Sequence, residues 1–249
     1  MGTSKSYKAK VSGQPQWGDL SSSVTRNCNG GNISANNKSK ILGNFVRVAG
    51  GSSTAGRGGS KVFGRSGIKT SKKLGSFLGG FASSGGDIRN ILVQTGLSNL
   101  TGKTVEDVIN HLIEYCSGPA STIDDKAAKE ASRKLLEQIA SDAATIEEFE
   151  EKLKGRLNHD SIEDIMIQYF GYYIIEHLSV MFYEKLVREK GKSECGNLFS
   201  QIEEFIFDSL AHMNKSNPLN EIEWGSDESD RIIKNIQQDV LIVFENYEN

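Results

Sequence analysis

Apolar side chains along this chain recur at three- and four-residue steps, and nowhere alternate convincingly at two-residue steps as a strand would. From Lys38 to Val48, the residues Ile41, Leu42, Phe45, Val46 and Val48 fall near helical spacing and predict a short helix. The next stretch, Gly43 to Gly86, is rich in glycine, serine and basic residues, yet Val62, Phe63, Ile68, Leu74, Phe77, Leu78 and Phe81 form a rough helical stripe. Glycine costs roughly 1 kcal/mol relative to alanine inside a helix. Helices over 56–67 and 70–83 therefore imply small residues that let the backbone approach a neighbour closely.

Beyond Asp87 the signals sharpen. Asp87, Thr104, Thr122 and Thr145 each stand before an apolar helical period, with acids following the first two threonines, as helix N-termini require. Gly118-Pro119 ends the helix that starts at Thr104. The longest predicted helix runs from Asp160 or Ser161 to Lys190, and its middle is apolar on nearly every side, which marks a helix enclosed by others. Two more follow near 197–213 and 228–247. The predicted fold is all-α: a helical body of about seven or more helices, preceded by a flexible glycine-rich basic N-terminal region. The organisation reads as a flexible tail over 1–37, a glycine-rich basic segment, partly helical, over 38–86, and a helical domain over 87–249. Residues 1–37 hold few apolar side chains and read as mostly extended, with Tyr7 and Trp17 as docking points.

Charge changes this picture more than composition does. The formal net charge is −3, but residues 1–86 carry 13 Lys and Arg against one acid, Asp19, while residues 87–249 carry 16 against 31. A division of +12 against −15 points either to a basic region aimed at an anionic partner or to two parts of one protein that neutralise each other. Cys28, Cys116 and Cys195 are scattered and form no CxxC pair, which suits a reducing, cytoplasmic compartment better than a disulfide framework. No apolar leader segment is seen, and the most apolar window, Ile165 to Val187, is interrupted by Gln168, Glu176, His177, Glu184 and Lys185, so no membrane span is expected.

Catalytic motifs are weak. Thr101-Gly102-Lys103-Thr104 looks like the end of a phosphate-binding loop, but position 97 is Leu where glycine is needed. Gly51 and Gly56 have the loop's glycine spacing, but Arg57-Gly58 replaces its Lys-Ser/Thr. His111, His159, His177 and His212 are dispersed without HExxH or ExxH spacing, so no metal site and no cofactor are expected; His177 reads as a hydrogen-bonded core histidine. The expectation is a protein that is not an enzyme. Arg57, Lys61, Arg65 and Lys69 are spaced by four and would share one face of the helix predicted over 56–67 and beyond; such a stripe suits nucleic-acid phosphates, a solvated face, or docking on the acidic helices. Met1-Gly2 predicts removal of the initiator methionine, leaving a glycine amine that titrates near about pH 8 and can act as a nucleophile. The same MGTSKS start also satisfies the short myristoylation pattern, whose single chain would bind membranes only weakly.

Three blocks in order, MGTSKSY at the start, AGRGGSKVFGRSG within the glycine-rich segment, and LVQTGLSNLTGKTVEDVINHLIEYCSGPASTIDDKAAKEASRKLLEQI after it, resemble QatB, a component of the bacterial Qat antiphage defence operon. The resemblance covers about the first 140 residues. It implies a cytoplasmic defence protein encoded beside an ATPase, a QueC-like enzyme of the QatC type and a TatD-like nuclease. It further implies that the QueC-like enzyme joins a deazaguanine to an N-terminal glycine, which here is Gly2, while Thr3, Ser4, Lys5 and Tyr7 contact that enzyme. Two other readings stand beside it: a nucleic-acid-binding sensor acting through Arg57, Lys61, Arg65 and Lys69, and a structural adaptor that keeps its function without residues 1–7.

Overall fold

In a computed structural model, which describes residues 15–213, 222–224 and 226–245, these residues form eleven helices and no strand. The all-α expectation holds. The central element is α9 (Ile162–Lys190), about 43 Å long at the usual helical rise. Its apolar girdle buries Ile165, Met166, Tyr169, Phe170, Tyr173, Ile174 and Leu178 on successive faces, so neighbours must surround it. They are α7 (Ile123–Ile139) and α10 (Lys192–Leu210), which pack along it most extensively, with α4 (Arg65–Ser83) and α11 (Asp227–Glu245) on its remaining sides. The short α5 (Ile88–Gln94), α6 (Val105–Ser117) and α8 (Ile146–His159) cover α4 and α7.

Local chemistry fixes most helix starts. Thr104, Thr122, Thr145 and Ser161 each accept a hydrogen bond from the amide three residues on. At three of them Asp107, Asp125 and Asp164 reach back to the cap amide, completing capping boxes. Thr101–Thr104 is thus the turn and cap that open α6, not a nucleotide loop. α8 runs four residues beyond the expected end near Gly155, to His159.

The N-terminal third departs from expectation in two places. The tail residues 1–14 lie outside the described residues, but from Pro15 the chain is helical: α1 (Pro15–Asn27) packs on α2 (Ala35–Val48). Trp17, Leu20, Val24 and Cys28 recur at steps of three and four, and the last three are buried. Trp17 stacks on Phe182 of α9 at 5.3 Å. Across residues 1–37 this stripe is diluted among Ser, Asn and Gly. The connection to α2 is tied down as well, because Gln201 of α10 accepts from the Ile33 amide at 2.8 Å and donates to the Gly31 carbonyl at 2.9 Å.

The second departure is the helix expected over 56–67. Instead α3 is only Ser52–Gly56, and residues 57–64 form a turn before α4 begins. Gly64 explains the break. Its φ of +103° favours glycine, and a Cβ there would strike the Ala55 carbonyl oxygen.

Within α4 the glycines serve packing, as the sequence suggested. A Cβ on Gly67 would overlap the Tyr173 ring, and Cβ atoms on Gly75 and Gly79 would overlap the indole of Trp224. Nearby, Gly56 lets α3 lie against α11, where a Cβ would meet the Gln238 backbone at 2.6 Å. Gly67→Ala therefore lowers stability by about 1–3 kcal/mol through overpacking. Gly155→Ala, in α8 with nothing within 4 Å of the added methyl, leaves stability unchanged or raises it by up to about 1 kcal/mol. Urea denaturation of the two variants checks the contrast.

Candidate functional site

The glycine-rich turn of residues 57–64 is held by a buried polar cluster that the α7 N-terminus supplies. The N-cap of α4 is Gly64, which brings no side-chain cap of its own. Its orphan amides find acceptors on another helix: Asp124 accepts from Gly64 N at 3.1 Å and from Ser66 N at 2.8 Å, and Asp125 accepts from the Ser66 hydroxyl at 2.7 Å. One pair of carboxylates thus serves the starts of two helices. Tyr173 of α9 adds a second acceptor for Gly64 N at 2.9 Å and donates its own proton to Asp124. Burial together with the Asp124 charge pushes the Tyr173 phenol well above its ordinary pKa, so it stays a donor.

His177, one turn further along α9, completes the cluster. Its Nε2 faces the Val62 carbonyl at 2.8 Å, a contact that only an N–H can make, and lies 3.7 Å from the Asp124 carboxylate. Its Nδ1 faces the Met181 sulfur, at 3.2 Å. Burial lowers the His177 pKa, against the opposing pull of Asp124 and the Val62 carbonyl, so the imidazole is neutral. The expected core histidine is found. Phe63 plugs the middle of the turn, stacked on Tyr173 at 4.6 Å and edge-on to Phe45 at 5.1 Å. From the other side, buried Gln237 of α11 donates to the carbonyls of Ala55, Gly56 and Gly64. Together these contacts make the turn a rigid platform.

The basic residues do not share one helix face, because the predicted helix is broken. Arg57 follows α3 and its Nε contacts the Gln238 side chain at 3.3 Å; Lys61 stands in the turn; Arg65 and Lys69 lie one turn apart on α4. All four are exposed. Gly2, Thr3, Ser4, Lys5 and Tyr7 lie outside the described residues. The proposed tail joins the body at α1, where Gln16 is exposed and Trp17 anchors.

Other reactive groups are quiet. Cys116 is pushed up to about 12 by burial, and Cys195 to about 11 by burial and its Cys28 neighbour, so both are thiols at neutral pH. Cys28 and Cys195, distant in sequence, are neighbours in space, which the spacing alone did not reveal. Among the described residues no three His, Cys, Asp or Glu side chains gather as a metal site, and no helix is long and apolar enough to cross a membrane.

A family model described as Qat anti-phage system associated protein QatB matches residues 50–244, from just after α2 to the last turn of α11. No curated protein and no solved structure matches the chain.

Two outcomes follow from this geometry. Asp124→Ala leaves the Gly64 and Ser66 amides and the Tyr173 hydroxyl without their shared acceptor, costing about 3 kcal/mol or more, and hydrogen exchange should rise first across residues 57–66. Acid should also weaken the fold in two windows. Unfolded His177 takes up a proton below about pH 6.5 that the folded protein refuses, so stability falls as pH drops through that range. Burial raises Asp125, but hydrogen bonds from Ser66, Thr122 and Ser121 outweigh it and hold its carboxyl below the usual range. The stability Asp125 contributes is thus present above about pH 4 and lost below it. A His177→Gln variant should lose the first window and keep the second in denaturation curves taken at successive pH values.

Proposed function

The chain belongs to the QatB family of Qat anti-phage system associated proteins, and from that membership we propose a non-enzymatic defence component whose N-terminal tail is modified at Gly2 by a QueC-like partner enzyme. The observation that carries this reading is the start of the chain, Met1-Gly2-Thr3-Ser4. Glycine at the second position permits removal of methionine and leaves an unhindered primary amine. In the proposed step the Gly2 nitrogen attacks the carboxyl carbon of a deazaguanine acid that the partner has adenylated. A C–N amide bond forms, the C–O bond to AMP breaks, and the amine's proton goes to solvent. Thr3 and Ser4 add little bulk, while Lys5 and Tyr7 offer a charge and a ring for the enzyme to hold. The segment from Gly2 to the fixed root at Pro15 can span at most about 45 Å, enough to enter a neighbour's active site while the body stays outside it. The cytoplasm is the proposed compartment, and the operon's ATPase and TatD-like nuclease are further proposed partners.

A second reading gives the basic segment a nucleic-acid partner and makes the protein a sensor or adaptor. The exposure of Arg57, Lys61, Arg65 and Lys69 on the platform favours it. Salt-dependent retention of DNA or RNA that charge reversal of all four abolishes would support this reading.

The deciding experiment is the intact mass of the protein produced with and without the QueC-like enzyme, followed by sequencing of the N-terminal peptide. The expected result is loss of Met1 and an added mass on Gly2 only when the enzyme is present. Gly2→Glu, which retains Met1, should remove both the added mass and protection against phage. An unmodified Gly2 beside an active enzyme would overturn the proposal.

A further inference from the structure

The break in the helix expected over 56–67 gathers its basic residues in a different way. The chain doubles back through Gly58, where a Cβ would lie 3.7 Å from the Arg65 Cα and 3.1 Å from the Ile68 side chain. Arg57, one residue earlier, is thereby brought beside Arg65. Lys69 follows Arg65 one turn along α4, and Lys61 lies on the turn that joins the two arginines. Among the described residues no carboxylate forms an ion pair with any of the four, whereas further along α4 Lys72 pairs with Asp230 and Lys73 donates to the Tyr115 carbonyl. Arg57 meets the neutral Gln238 side chain, so its charge stays uncompensated.

The residues around these cations narrow the ligand. The others exposed between Ser53 and Lys69 are Ser53, Thr54 and Gly59, and hydroxyls beside cations are the set that contacts phosphates and sugars. That stretch holds no Asn, Gln, Asp or Glu to read base edges. Its single aromatic ring, Phe63, is buried against Tyr173 and offers no base a surface to stack on. The nearby helix starts are filled by the protein's own carboxylates: Glu245 accepts from the Ser52 amide and hydroxyl, and Asp124 from the Gly64 and Ser66 amides. The first of these also answers the Gly51–Gly56 resemblance to a nucleotide loop, whose leading amide is thus occupied. Side-chain cations and hydroxyls are what remains for an anion.

We propose that this patch binds the phosphate backbone of double-stranded nucleic acid without reading its sequence. The inference rests on the nucleic-acid reading of the same four residues and is independent of modification at Gly2. A single strand gains most from stacking its bases on rings, which this surface lacks. A duplex encloses its bases and presents about one charge per 1.7 Å of its axis, an array that cations on a fixed turn meet without ordering a flexible strand. Arg57 and Arg65 offer planar guanidiniums to phosphate oxygens, and Lys61 and Lys69 act as point charges. Ser53 and Thr54 add hydroxyl donors.

Fluorescence anisotropy of the purified full chain tests it, with labelled DNA duplexes of two unrelated sequences, an RNA duplex and the separated DNA strands as probes. The expected result is equal affinity for the two DNA duplexes and several-fold weaker binding of the single strands. Four phosphate contacts set the slope of log affinity against log salt at about −3.6, so affinity falls about 100-fold between about 50 and 200 mM salt. Lys61→Ala, Arg65→Ala and Lys69→Ala should each reduce that slope by about 0.9 and weaken binding to both sequences alike. The control Lys103→Ala, outside the patch, leaves slope and affinity unchanged. Within that result, the tighter of the DNA and RNA duplexes identifies the helix the patch fits. Preference for single strands, or for one duplex sequence by about tenfold or more, would overturn this inference and leave the nucleic-acid reading standing. Failure to bind any probe at low salt, or binding that ignores the three substitutions in variants with native circular dichroism, would overturn both.

Discussion

The Asp124 carboxylate is the contact on which the N-terminal half of this structure depends. A helix that begins at glycine brings no side chain to satisfy its first amides, and buried amides without acceptors each cost about 1–3 kcal/mol. α4 has Gly64 as its N-cap and runs into the core beside α9, so it needs acceptors from elsewhere. Asp124 supplies them for Gly64 and Ser66, and Tyr173 and His177 surround the same carboxylate with a donor and a neutral ring. The cluster thereby ties three distant stretches to one point: the turn before α4, the start of α7 and the middle of α9. Phe63 and Gln237 then close the turn from its two sides. A segment of glycine, serine and basic residues becomes ordered because the rest of the protein provides what it lacks.

The glycines follow from the same arrangement. Once α4 is drawn against α9, Gly67 must admit the Tyr173 ring, and Gly75 and Gly79 face Trp224. Gly56 and Gly64 admit the backbone of α11 and the carbonyl of Ala55. Those inside helices each lose some intrinsic helix stability, roughly 1 kcal/mol against alanine, and all of them gain contact with a large ring or a neighbouring backbone. A glycine-rich composition that resembles a linker is here a set of close approaches.

How much of this was legible in the sequence differs along the chain. From Asp87 onward, caps and apolar periods coincide, and the helices start within a residue or two of the positions their Thr, Ser and Asp residues indicate, apart from α10, which begins earlier. The apolar girdle of α9 announced a central helix, and His177 a buried one. The helix over 56–67 was misread because Val62 and Phe63 fit a helical stripe, while the signal against it, left-handed backbone at Gly58 and Gly64, is not written in residue spacing. The α1 stripe was present in Trp17, Leu20, Val24 and Cys28 but outnumbered by polar neighbours. Nothing in the sequence could pair Asp124 with Gly64, since that contact joins residues 60 positions apart.

The charge division along the chain takes a particular form in three dimensions. Of the two explanations for +12 facing −15, internal neutralisation would set the Lys and Arg of the first third against the carboxylates of the body. Lys72 with Asp230 is such a pair. The carboxylates that actually hold the glycine-rich platform, Asp124, Asp125 and Glu245, are engaged instead by backbone amides and by the hydroxyls of Tyr173, Ser66 and Ser52. The platform is therefore anchored largely by its main chain, and its folding does not consume the charges of Arg57, Lys61, Arg65 and Lys69. Those side chains reach solvent from a backbone fixed at several points. Cations on such a platform can meet an anion without first ordering the chain that carries them, which removes much of the entropic cost of binding. That property is what a nucleotide site, a nucleic-acid contact or an acidic partner surface would each use, and it arises from anchoring the segment through its amides.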